Sequence, residues 1–145
     1  MAQSINEIQD EVIEEFEFFT DWMEKYEHII GFGKALDNKL PEGLKTDENL
    51  VKGCQSRVWM HAELDGDNMV LMADSDAVIT KGMAALMLRI LSGHKPDEIA
   101  KADLYFVDKI GLKEHLSPNR ANGLASMIKK IKMYALAFDA KLKTQ

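Results

Sequence analysis

The chain has 145 residues, 46% hydrophobic and 29% charged, with a net charge of −6. That length suits one domain, residues 1–145, with a core large enough to need no staples, and the composition is that of a soluble globular protein. No apolar run is long enough for a bilayer span, the start Met1-Ala2-Gln3-Ser4 lacks the basic and apolar regions of a secretory signal, and a pI near 5.2 gives no whole-domain basic footprint for nucleic acid.

Ser4-Ile5-Asn6-Glu7 reads as a capping box, and Ile5, Ile8, Val12, Phe16 and Phe19 then recur at the spacing of one helical face. Thr20-Asp21 interrupts that helix or caps a second one. Trp22, Tyr26, Ile29 and Ile30 continue the pattern to Gly31-Phe32-Gly33, where two glycines suit a helix end. Residues 37–53 have loop character, punctuated by Pro41, Gly43 and Gly53.

From Ser56 the period changes to two. Val58, Met60, Ala62 and Leu64 point one way and Arg57, Trp59, His61 and Glu63 the other, which argues a half-buried strand. Asp65-Gly66-Asp67-Asn68 signals a tight turn, and Met69 to Ala73 reads as the returning strand. Two strands alone are marginal, so a third short strand near residues 50–54 or elsewhere is expected, with helices over the sheet.

Asp74-Ser75-Asp76 can cap a helix from about Ala77 to Leu91, with Ile79, Met83, Leu86 and Ile90 on one face, stopped at Ser92-Gly93. Pro96 opens a short helix to Lys101, and Asp103 can cap another over Leu104 to Ile110, ended by Gly111. Ser117-Pro118 opens a long final helix whose stripe is Leu124, Met127, Ile128, Ile131, Ala135, Phe138 and Leu142. The expected class is α+β: a small antiparallel sheet packed against helices from both chain ends.

Charge is uneven along this order. Residues 1–48 hold 13 acidic and 4 basic side chains, whereas residues 109–145 hold 2 and 8. The basic residues lie among apolar ones at helical spacing, so solvated helix faces are expected, with the acidic start able to face the basic end.

Cys54 is the single cysteine, in the run Val51-Lys52-Gly53-Cys54-Gln55-Ser56-Arg57-Val58-Trp59. It cannot form an internal disulfide or supply the several thiolates of a zinc or iron–sulfur site. It is either a small packing residue or a single nucleophile. One thiol and no export signal suit a reducing, cytoplasmic setting. None of His28, His61, His94 and His115 lies three or four residues from another or at ligand spacing to Cys54, so no metal is expected. Cys54 and His61 are separated by about 23 Å along a strand, beyond hydrogen-bond reach unless the loop folds back. Gly31-Phe32-Gly33 lacks the surroundings of a phosphate loop, and the nine methionines suit core filling.

Two polar clusters stand out. Asp74-Ser75-Asp76 lies where a strand becomes a helix, a place that serves both capping and function. Ser117-Pro118-Asn119-Arg120-Ala121-Asn122-Gly123 is an unusually polar helix start. A positive helix end and Arg120 would lower the pKa of a thiol beside them.

Three blocks together resemble the SufE family of sulfur-acceptor proteins. They are Asp21-Trp22-Met23-Glu24-Lys25-Tyr26 with Ile29-Ile30 and Leu40-Pro41; Val51 to Trp59; and Gly111-Leu112 with His115 to Leu124. The resemblance covers nearly the whole chain. It implies a compact α+β fold like that of the iron–sulfur assembly scaffold proteins. It also implies a persulfide relay in which Cys54 accepts sulfur from a pyridoxal-phosphate cysteine desulfurase, stimulates that enzyme, and passes sulfur to an assembly scaffold. On this reading the protein is a carrier with no cofactor of its own, the pyridoxal phosphate belonging to its partner, and it binds neither nucleic acid nor membrane. Arg120 becomes an electrostatic helper and Asp74 part of a loop-holding surface, while Gly53, Gln55 and Ser56 shape the loop. A paralogous carrier for another desulfurase is the nearest alternative. A one-cysteine peroxidase or redox sensor is the alternative of a different class.

Overall fold

The computed structural model describes residues 3–36 and 40–144. Part of the expected loop, residues 37–39, lies outside them. Helix α1 spans Ile5–Glu17, and its capping box is complete: Ser4 Oγ accepts from the Glu7 N–H while the Glu7 carboxylate accepts from the Ser4 N–H. Asp21 caps a separate helix, α2, over Trp22–Lys34.

The glycines of α2 do not end it. The helix runs through Gly31 and Gly33 to Lys34 because Gly33 is a contact point and not a stop. A Cβ on Gly33 would lie 2.9 Å from the Gly82 backbone nitrogen, and one on Gly82 would lie 2.1 Å from the Ile29 carbonyl oxygen. Gly82 belongs to α3, Val78–Leu91, and the two helices cross backbone to backbone at these glycines. Helix α3 is the centre of the molecule. It is buried on nearly every side, from Gly82 through Leu88 and again at Ile90 and Leu91, and not on the single face expected. It packs against α1, α2, the sheet and the last helix.

Strands β1, Val58–Asp65, and β2, Asn68–Ser75, pair antiparallel with Met60 opposite Ala73 and Ala62 opposite Leu71. Val58, Met60, Ala62, Met69, Leu71 and Ala73 are buried, so the period-two reading holds on both strands. The tight turn places Gly66, φ +63°, first, as the two-residue hairpin loop demands. The third strand is reduced to a bridge. Asn49 to Val51 lies beside β1 through Val51 N–H to Val58 O and Met60 N–H to Asn49 O, both 2.8 Å. At Gly53, φ +90°, the chain turns away, and pairing stops.

Asp74-Ser75-Asp76 does not cap α3, whose N-cap is Ala77. Instead Asp76 accepts from the Arg57 N–H, and Ser75 Oγ donates to the Arg57 carbonyl and accepts from the Ala77 N–H. Pro96 opens α4, Pro96–Lys101, as expected. The next helix, α5, starts later than the sequence suggests, at Phe106–Ile110, without a cap from Asp103. Its first N–H is satisfied by a distant residue: Gln9 of α1, fully buried, accepts from Phe106 N–H and donates to the Asp103 carbonyl. Gly111, φ +84°, closes α5, and a short α6, Leu112–His115, leads to α7, Pro118–Lys143, capped by Ser117.

The acidic start meets the basic end only in part: Asp47 and Glu48 lie beside Lys129 and Lys130, while α1 pairs elsewhere. Glu15 of α1 pairs with Arg89 and His28, and Arg89 also reaches Glu11. On α7, Lys132 donates to carbonyls around α4, Lys130 to the Glu48 carbonyl, and Lys143 pairs with Asp139 of its own helix. No ion pair joins α1 to α7 among the described residues. The core lies between these helices and the inner face of the sheet, and among the described residues no helix is long and apolar enough to cross a membrane.

Candidate functional site

Cys54 sits on a loop whose two ends are fixed. The Val51–Val58 backbone bond closes its stem, and Ser75 and Asp76 hold Arg57 at the exit. Gly53 is necessary at the turn, because its φ of +90° is strained for other residues and a Cβ there would lie 2.8 Å from Ser126 Oγ. The loop carries Cys54 to the first turns of α7. The cysteine is half-buried, and its Sγ lies 3.7 Å from the Gly123 carbonyl oxygen.

The polar start of α7 and the cysteine loop are thereby brought together, which sequence spacing could not establish. Gln55, Ser56, Asn119, Arg120, Thr80 and Met83 surround Cys54 in an open cavity of about 380 Å³. Asn119 donates to Gln55 Oε1 at 3.0 Å. Arg120 is exposed, forms no ion pair among the described residues, and lines the same cavity.

Proximity to the start of α7 does not lower the thiol pKa in this conformation. Burial pushes the Cys54 thiol up from its ordinary value. The sulfur is not placed beyond the helix end, where free N–H groups point. It lies against the sixth helical residue and meets a carbonyl oxygen, which accepts from S–H and repels a thiolate. With the loop in this position the thiol is held neutral.

Asp74 is not part of the cavity. It accepts from Lys45 at 2.9 Å and faces Lys81 at 3.4 Å, and Lys45 also lies over the Trp59 ring. Burial would raise its carboxyl, but Lys45, the Ser75 N–H and Lys81 outweigh that and hold it below the ordinary range. His61 stays on β1 beside Asn49 and Glu63, away from the cavity. Thr80 and Ser126 join the site without having been marked in the sequence. A glycine three residues before Ser126 in a helix interior, costly by about 1 kcal/mol relative to alanine, was the available sign of a close approach there.

The family model described as "SufE: Fe-S metabolism associated domain" matches residues 10–135. The chain belongs to the SufE family. An uncharacterized SufE-like protein of Rhizobium meliloti is 44% identical over 131 residues, covering 87% of this chain and 93% of that protein. SufE-like protein 1, chloroplastic/mitochondrial, of Arabidopsis thaliana is 41% identical over 132 residues, covering 90% of this chain and 35% of that longer protein. The solution structure of a hypothetical protein from Thermus thermophilus superposes with a TM-score of 0.76, covering 92% of this chain and 96% of that one. At 19% identity that likeness concerns the fold alone. SufE membership associates the protein with iron–sulfur metabolism.

Proposed function

We propose that this SufE-family protein carries sulfane sulfur as a persulfide on Cys54, between a pyridoxal-phosphate cysteine desulfurase and an iron–sulfur assembly scaffold. The observation that carries the reading is a single thiol on a glycine-hinged loop, with open space beside its sulfur. The Cys54 thiolate attacks the outer sulfur of the partner's persulfide. The partner's sulfur–sulfur bond breaks, its cysteine leaves as thiolate, a new sulfur–sulfur bond forms on Cys54, and the Cys54 proton passes to solvent. No electrons are gained or lost overall. Removing the persulfide product frees the desulfurase for another turnover, which is how a carrier stimulates it.

The added sulfur needs space on the order of one water, ~30 Å³, and the cavity of about 380 Å³ has room for it. A second cysteine could attack the persulfide and release sulfide; this chain has none. Because the resting thiol is held neutral, transfer requires the sulfur to leave the Gly123 carbonyl on docking, toward solvent at the Arg120 side of the cavity, where the thiolate is favoured. Arg120 is the electrostatic helper, and Asp74 braces the surface under the loop through Lys45 and Lys81. Gly53, Gln55 and Ser56 set the loop's shape.

Intact mass after incubation with a cysteine desulfurase and free cysteine tests the reading. A gain of one sulfur, lost on reduction and absent from Cys54→Ser, is expected. No gain with either of two paralogous, active desulfurases would sink it.

A further inference from the structure

Three consecutive loop residues meet three residues of one helix in reverse order. Gly53 approaches Ser126, Cys54 approaches Gly123, and Gln55 accepts from Asn119. Positions 119, 123 and 126 are four and three apart, so they form one stripe on α7, and the loop lies antiparallel along it. The fit depends on small residues: a Cβ on Gly123 would lie 3.2 Å from Cys54 Sγ. From Lys52 to Ser56, the loop's hydrogen bonds run to α7 alone among the described residues.

We propose that Asn119, Gly123 and Ser126 are positioning residues: a seat on α7 that holds the Cys54 loop closed and sets how readily the thiol becomes reactive. The inference rests on the reading of Cys54 as the sulfur acceptor and adds what restrains it. Each contact is weak alone. One is a sulfur–carbonyl bond, one an amide–amide bond between two exposed side chains, and one a close packing of Gly53 on a hydroxyl. A docking partner that replaces these contacts opens the loop, while the stem at Val51–Val58 stays in place.

The test is the rate of Cys54 alkylation by iodoacetamide across pH, without desulfurase, beside the melting temperature. The charged group in the cavity with the thiol is Arg120 on α7, Lys52 and Arg57 being its neighbours along the chain; α3 presents Thr80 and Met83. Asn119→Ala and Gly123→Ala are each expected to alkylate about three- to tenfold faster at neutral pH, as for the loss of one net hydrogen bond. In both, the pH midpoint of alkylation falls toward that of an ordinary thiol. If Gly123 were only a weak point of the helix, Gly123→Ala would melt higher and alkylate like the wild type, which overturns the proposal. Should Gly123→Ala fail to fold, Asn119→Ala decides, because both partners of its hydrogen bond are exposed; an unchanged rate and midpoint there overturn the seat. Persulfide loading of the wild type by intact mass is read separately. Faster alkylation in the variants without loading leaves the seat standing and overturns the carrier, and the reverse pattern overturns the seat alone.

Discussion

Sulfur transfer needs a thiolate, yet the Cys54 thiol lies half-buried against a carbonyl oxygen that favours S–H. On the proposed reading, the two demands are met at different loop positions, closed for protection and open for reaction. Outside the cavity, Asp74 gathers Lys45, Lys81 and the Ser75 N–H about one carboxylate that is mostly buried. Asp74→Asn is expected to cost on the order of 1–2 kcal/mol, as for a weakened charge-assisted bond. The loss should appear as a lower urea midpoint and as faster amide exchange over residues 44–50, the segment that Lys45 pins. Equal exchange in mutant and wild type would mean that the pairing is too solvated to matter.

At the scale of elements, the decisive contact is the crossing of α2 and α3. Gly82 leaves no space for a methyl group, since its Cβ would fall 2.1 Å from the Ile29 carbonyl, whereas a Cβ on Gly31 would meet nothing within 4 Å. Gly82→Ala must separate the two helices and is expected to cost about 3 kcal/mol, a drop of roughly 6–12 °C in Tm for a domain of this size. Gly31→Ala should raise Tm by about 1–4 °C through helix propensity. Thermal melts of the two variants side by side check the assignment, and similar effects from both would refute a close crossing. The same pair explains why α2 outruns its sequence signal: a glycine read as a helix stop is here the point where another backbone approaches. Helix α5 shows the complementary effect. Asp103 was a reasonable local cap, but buried Gln9, far away in the chain, satisfies the first N–H of α5 instead.

Across the whole molecule, Glu15 links the N-terminal layer to the central helix. The Arg89 guanidinium beside it, working against the opposing pull of burial and aided by His28, holds its carboxyl below the ordinary 4.5. A carboxyl depressed in the folded state contributes stability that is fully present above its unfolded value and is lost as pH falls through the folded one. The Tm gap between wild type and Glu15→Gln should therefore be widest near neutrality and close on acidification, followed between about pH 7 and pH 3. A gap independent of pH would show that Glu15 acts by packing and not by charge.

Much of this protein was legible without coordinates, because it depends on local signals. The Ser4 capping box, the period-two alternation from Val58, the turn at Gly66 and the Ser117-Pro118 helix start are each set by a few neighbouring residues, and each stands in the structure. The lone thiol and its flanking run likewise carried the family's likeness, and the family is shown. What only the tertiary structure decided are contacts between residues distant in sequence. They include the α2–α3 crossing at Gly33 and Gly82, the cap of α5 by Gln9, the partners of Glu15, and the stripe of α7 under the cysteine loop. Sequence could mark Arg120 and the thiol as a helix end and a nucleophile, with the thiol acidified only if the two lay side by side. Their relative placement raises the thiol instead, because desolvation and a facing carbonyl, both products of packing, outweigh a helix end that the sulfur does not reach.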